Sequence, residues 1–189
     1  MYVNEDVRLW QDAFLKEDID ALSALYHTYY SDLFQYGYKL VPHTPTVEDC
    51  LQDLFLYLWE KRSSLSVPQS IKFYLLKSFR RRLLRIQQRD KNIYYLSQVP
   101  EDSMTFTPAD IAVRKNPSGI SKHALIQFLN QLPPRQKEII YLKYFEGLTN
   151  DEIAEVLSLG YQVVANNLYR AFITLRQKAP QLKPLIMDS

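Results

Sequence analysis

The sequence predicts an all-α fold: two small helical domains joined by a flexible linker. Three observations carry this. Apolar residues recur every three or four positions along most of the chain, and no run alternates as a strand would. Residues 91–120 break the periodicity with Pro100, Pro108, Pro117 and Gly119 among several Ser and Thr. A structureless loop of that length inside one compact domain is unusual, so the break reads as a boundary between two domains. The divisions are 1–90, a linker over 91–120, a second domain over 121–180, and a tail over 181–189.

Taken in order, Leu22, Leu25, Tyr29, Leu33, Tyr36 and Leu40 mark one face of a long helix. After the Pro42-His43-Thr44-Pro45 break, Val47, Cys50, Leu51, Leu54, Phe55 and Leu58 form a second stripe, with Thr46 and Asp49 as its capping box. Ile71, Leu75, Phe79, Leu83 and Ile86 form a third. Beyond the linker a short helix ends at Leu132-Pro133-Pro134, and Pro134 suits the first turn of the next. That helix carries Ile139, Ile140, Leu142 and Tyr144, with Gly147 where a C-terminal cap belongs. Thr149 and Glu152 form a capping-box pattern that opens a helix of about eight residues, and a last helix runs from about Tyr161 to Lys178. Two such helices joined by the tight turn Ser158-Leu159-Gly160 have the form of a helix-turn-helix.

Composition excludes several classes. The 189 residues are 47% hydrophobic and 23% charged, ordinary for a globular chain. No apolar run is long enough for membrane insertion, and the acidic start Asn4-Glu5-Asp6 is wrong for a signal peptide. The single cysteine, Cys50, points to a reducing, cytoplasmic setting. The four glycines are too dispersed for a phosphate cradle, and His27, His43 and His123 lack metal-ligand spacing. The expectation is no catalytic residues, metal, cofactor or small-molecule substrate: not an enzyme. The tyrosines Tyr26, Tyr29, Tyr30, Tyr36 and Tyr38 fit core and rim packing better than a ligand pocket.

Net charge is only +2, yet it is strongly segregated. Residues 1–60 have a balance of −8, 61–91 of +9, 92–121 of −1 and 122–189 of +2. Seven cations, Lys72, Lys77, Arg80, Arg81, Arg82, Arg85 and Arg89, fall within eighteen positions, interleaved with Phe73, Tyr74 and Phe79. Cations suit phosphates and aromatic faces suit unpaired bases, so this helix is expected to meet a polyanion; the alternative is a solvated face over a core of Phe73 and Phe79. On the last helix Val164, Leu168, Ala171 and Leu175 should pack inward, while Gln162, Asn166, Tyr169 and Arg170 face away with Asn167 on a flank. Gln and Asn can bond an adenine edge and Arg a guanine or phosphate, although an ordinary solvated helical hairpin is also compatible. The helix from Thr46 to Trp59 presents Asp49, Gln52, Asp53, Tyr57 and Trp59 opposite its stripe, a mixed face of the kind that docks a protein, or else simply a solvated one.

These elements in this order resemble the bacterial RNA polymerase sigma factors, in the extracytoplasmic-function (ECF) class of the sigma-70 family, which has only the second and fourth sigma regions. Residues 25–34 (LYHTYYSDLF) resemble the opening of the second region, and 48–59 (EDCLQDLFLYLW) the polymerase-binding helix, matched at Asp49, Gln52, Asp53 and Trp59. Residues 129–138 (LNQLPPRQKE) and 147–155 (GLTNDEIAE) resemble the fourth region. The resemblance implies docking of Asp49, Gln52, Asp53, Tyr57 and Trp59 on the β′ clamp helices of the polymerase core, with a second contact at the β flap. It implies promoter −10 contacts from the basic helix, and −35 contacts from Gln162, Asn166, Asn167 and Arg170, with Arg135, Lys137 and Thr149 against phosphates. An anti-sigma factor is an implied partner. Many members carry Asn and Asp where this chain has Arg81 and Arg85, and Ser, Thr or basic residues where it has Gly160, Ala165 and Asn167. The competing reading is a free-standing helix-turn-helix regulator with an N-terminal sensory or dimerisation domain, which should be a dimer on a palindromic site.

Overall fold

The computed structural model describes residues 5–91, 104–112 and 122–178; the tail over 181–189 lies outside them. The described residues are helical, with no strand, and the chain divides into two compact units at Val99/Pro100.

The first unit holds α1 (Glu5–Leu15), α2 (Ile19–Leu40), α3 (Thr44–Glu60), a 3-10 turn (Arg62–Ser64) and α4 (Ile71–Lys91). Helices α2, α3 and α4 pack on one another, and α1 lies on α2 and touches α4. All six stripe residues of α3, Val47, Cys50, Leu51, Leu54, Phe55 and Leu58, are buried. The interface is tight enough to require a glycine: a Cβ at Gly37 of α2 would stand 2.7 Å from Cε1 and Cζ of Phe79 and 3.1 Å from Cγ1 of Val47. Periodicity does not reveal α1, yet its Trp10, Ala13 and Phe14 are core; the Trp10 ring meets Phe14 edge-on at 4.6 Å and Tyr74 at 5.3 Å. Asp18 caps α2, its Oδ1 accepting from the amides of Asp20 at 2.9 Å and Ala21 at 3.1 Å. The cap of α3 differs from expectation. Helix α3 starts two residues before Thr46, with Pro45 in its first turn, and His43 is the N-cap, its Nδ1 accepting from the Thr46 amide at 3.4 Å.

The second unit holds α5 (Pro108–Ala112), α6 (Lys122–Asn130), α7 (Pro134–Tyr144), α8 (Asn150–Leu157) and α9 (Tyr161–Lys178). Part of the expected linker is core here. Met104, Phe106 and Ile111 are buried. The Asn130 side chain clasps the backbone of Phe106, accepting its N–H at 2.7 Å and donating to its carbonyl at 3.0 Å. The Phe106 ring lies against Phe145 at 5.4 Å and Tyr141 at 6.4 Å. Three dispersed apolar residues leave no periodic signature, which is why 104–112 resemble linker in the sequence. Helix α7 is buried nearly all round, from Lys137 to Leu142, as befits a central helix packed against α8 and α9. Gly147, at φ 76°, lets the chain turn after it. The capping box of Thr149 and Glu152 forms as expected, and α8 ends on Ser158 in the left-handed region, φ 54°.

Candidate nucleic-acid and polymerase interfaces

Because α3 buries one stripe, its opposite side is a ridge in solvent. Asp49, Gln52, Asp53 and Tyr57 are exposed there and Trp59 is half-buried. The structure adds Leu56, 61% exposed on the same ridge, which the unbroken apolar run Leu54-Phe55-Leu56 hides in the sequence. On one flank of the ridge an open groove of about 370 Å³ is lined by Ile19, Leu22 and Tyr26 of α2 with Phe55, Leu56 and Trp59 of α3. Tyr30, farther along α2, donates to Oε1 of Glu48 at 3.2 Å. Each ring of the ridge carries a guanidinium. Arg82 lies 4.3 Å from the centroid of Tyr57, and Arg62 lies 4.7 Å from Trp59 while pairing with Glu17 at 3.2 Å. Burial pushes the Cys50 thiol up to about 12, so it is packed core rather than a nucleophile.

The basic residues of α4 separate into two groups. Lys77, Arg81 and Arg85 are exposed. With the half-buried Phe73 they form a row at four-residue spacing, each step rising about 6 Å along the helix, and the Lys77 ammonium sits 5.3 Å from the Phe73 ring. Lys72, Tyr74, Arg80 and Arg82 are half-buried. Of these, Lys72 pairs with Asp32 of α2 at 3.0 Å, and Tyr74 packs against Trp10, its hydroxyl pKa raised chiefly by burial. Phe79 is core. The Arg89 side chain lies outside the described residues.

In the second unit α9 follows its expected wheel. Val164, Leu168, Ala171 and Leu175 are buried, Gln162, Asn166 and Arg170 are exposed, and Asn167 is on the flank. Gln162 donates to Asn166 at 3.1 Å, and Asn167 back-bonds to the Val163 carbonyl at 2.8 Å. Tyr161, Val163 and Tyr169 widen this face, the first two beyond what the polar pattern indicates. Arg135 and Thr149 are exposed, the Thr149 hydroxyl already serving the capping box. Lys137 is a correction: expected against a phosphate, it is 1% exposed, because α7 has no face turned to solvent at that position.

A four-helix unit carrying an acid-and-aromatic ridge and a cation row, in one chain with a helix-turn-helix unit, has the make-up of a DNA-binding protein. The family models described as "Sigma-70 region 2" and "Sigma-70, region 4" match residues 25–92 and 122–175, together well over half of the chain. The chain is 24% identical to the RNA polymerase sigma factor YlaC of Bacillus subtilis, over 84% of its own length and 91% of that protein's. To the ECF sigma factor SigX of the same organism it is 23% identical, over 89% of both. In fold it is similar to CnrH, solved with the cytosolic domain of CnrY, at a TM-score of 0.58 and 18% identity over 98% of this chain and all of that one. It is also similar to the sigma factor RpoE of Bartonella quintana, solved with the anti-sigma factor NepR, at a TM-score of 0.54 and 19% identity over 89% and 98%. The chain belongs to the sigma-70 family, as a sigma factor of the ECF class and so a non-catalytic factor for transcription initiation. The free-standing regulator is not favoured by these matches.

Proposed function

We propose that the chain brings RNA polymerase core to promoters, docking through the α3 ridge at Asp49, Gln52, Asp53, Leu56, Tyr57 and Trp59 against the β′ clamp helices. The observation that carries this reading is the pair of unlike faces on adjacent helices, an acid-and-aromatic ridge on α3 and a cation row on α4. Lys77, Arg81 and Arg85 suit strand phosphates of the −10 element and Phe73 an unstacked base. Gln162, Asn166, Asn167 and Arg170 suit base edges of the −35 element in the major groove, with Arg135 and Thr149 at the backbone and the β flap holding this unit in place. Two modules on one chain gain avidity that neither has alone. Work in the cytoplasm fits the buried free thiol of Cys50, and among the described residues no helix is long and apolar enough to cross a membrane. Masking by an anti-sigma protein fits the anti-sigma factor NepR with which the similar sigma factor RpoE was solved.

The test is co-purification with core polymerase followed by run-off transcription. The wild-type chain should bind core and start transcripts at a defined position. Asp53 is exposed, so Asp53→Arg should keep the fold while lowering core affinity by at least about 30-fold, the scale of a reversed interfacial charge. A wild-type chain that ignores core polymerase and binds duplex DNA tightly on its own overturns the proposal.

A further inference from the structure

Arg82 sits in the middle of the basic run, yet the structure sets it apart from its neighbours. Arg81 and Arg85 are exposed, whereas Arg82 is half-buried with its guanidinium 4.3 Å from the Tyr57 centroid. Helical phase explains the difference. Arg82 follows Leu75 by seven positions and Phe79 by three, and precedes Ile86 by four, so it stands on the stripe that α4 turns toward its neighbours. Its charge also acts on Cys50 of α3 and on Tyr74 of α4, lowering both against the upward push of burial. The guanidinium therefore caps the seam between α3 and α4. The other ring of the docking ridge, Trp59, is covered in the same manner by Arg62, which also donates to the Trp59 carbonyl at 2.9 Å.

We infer that Arg82 is a positioning residue of the polymerase-docking ridge, holding the Tyr57 ring in its docking orientation, and is not one of the promoter-binding cations. The inference rests on the proposed docking of α3. A planar guanidinium suits this role because it stacks on the ring face, which the compact ammonium of a lysine does less well. Tyr57 is 43% exposed, so the ring offers one edge to a partner while Arg82 fixes it from within the unit.

Two readouts on the full chain separate positioning from DNA contact. Core affinity is measured by competition against labelled wild-type chain. The salt dependence of binding a promoter fragment with an unpaired −10 strand is measured on holoenzyme assembled at saturating sigma. Arg82→Gln should weaken core binding by about two- to five-fold, the scale of a partly exposed cation–aromatic contact, and leave the salt slope unchanged. Arg85→Gln should leave core binding unchanged and reduce the slope by about 0.7 to 0.9, the share of one phosphate. Tyr57→Leu, which removes the ring itself, should weaken core binding at least as much as Arg82→Gln, and the double variant should be no weaker than Tyr57→Leu alone. Arg82→Lys should restore core binding only in part. Trp emission of each variant checks that the first unit is folded. If Arg82→Gln lowers the salt slope as Arg85→Gln does, or leaves core affinity at the wild-type value, the inference fails. Losses that add in the double variant also overturn it, because Arg82 then does not act through the ring. Failure of the wild-type chain to bind core is a different result and sinks the proposed function instead.

Discussion

Replacing Gly37 with alanine sets two well-measured effects against each other, and the structure decides the sign. In the interior of a helix such as α2, Gly→Ala ordinarily stabilises by about 1 kcal/mol, since alanine restricts the unfolded chain and favours helix. The new Cβ would, however, stand 2.7 Å from Cε1 and Cζ of Phe79 and 3.1 Å from Val47. Carbon atoms in contact prefer about 3.5–4.0 Å, so α2 and α4 must separate by nearly 1 Å or the ring must turn. Phe79 is 0% exposed and has no open side to turn into. Overpacking of this kind costs about 1–3 kcal/mol. The net expectation for Gly37→Ala is a loss of about 1 kcal/mol, equivalent to about 4–8 °C in Tm for a unit of this size. Urea titration of the full chain followed by tryptophan emission isolates the effect, because Trp10 and Trp59, the only tryptophans, both lie in the first unit. In a Phe79→Leu background the clash is relieved, and Gly37→Ala should there regain its stabilising sign. An unchanged or raised stability of the single variant in the wild-type background would refute the close approach of α2, α3 and α4.

Three further outcomes follow from the packing and backbone of the two units. Lys137→Ala should destabilise the second unit by about 1–3 kcal/mol, as loss of a buried polar side chain does, seen as faster hydrogen exchange of α7 amides, with the salt slope of promoter binding unchanged; Arg135→Gln should lower that slope and leave exchange alone. Ser158→Gly should raise the stability of the second unit by about 1 kcal/mol, since Ser158 holds φ 54° at the end of α8. Cys50 gives a pH dependence with a definite sign: its thiol is raised from 9.0 to about 12 in the fold, so the unfolded chain loses its proton first. Its stabilising contribution is complete below about pH 9 and is lost toward pH 12, at up to about 1.4 kcal/mol per pH unit. Urea midpoints of wild type and Cys50→Ala should therefore converge as pH rises through this window.

How far the sequence foretells these sites depends on the strength of local phase relative to tertiary context. The stripe of α3 and the inward face of α9 are legible residue by residue, because their apolar positions repeat at helical spacing and their outer faces are polar. Helix α1 is not, since only Trp10, Ala13 and Phe14 are core in its eleven residues and their burial needs α2 and α4 in place. The same holds for Met104, Phe106 and Ile111, which have no periodic neighbours and are held by Asn130 and the rings of α7. Lys137 misleads for the opposite reason: a charged residue type suggests solvent, while the packing of α7 by α8 and α9 leaves it none.

At Arg82, helical phase outweighs residue type. Its spacing from Leu75, Phe79 and Ile86 places it on the packed side of α4, so its position is readable even though its partner ring, Tyr57, is not. This placement alters the electrostatics of the first unit. The +9 of residues 61–91 overstates what DNA meets, because Lys72 pairs with Asp32, Arg62 with Glu17, and Arg82 lies on Tyr57. The exposed cations among the described residues of α4 are Lys77, Arg81 and Arg85, the last two at positions where the sigma-factor resemblance implies Asn and Asp in many members. On the proposed reading, phosphate attraction in this chain is thus concentrated at positions where the family resemblance implies polar or acidic side chains, and salt should weaken binding to a −10 strand more steeply than in a variant with Arg81→Asn and Arg85→Asp.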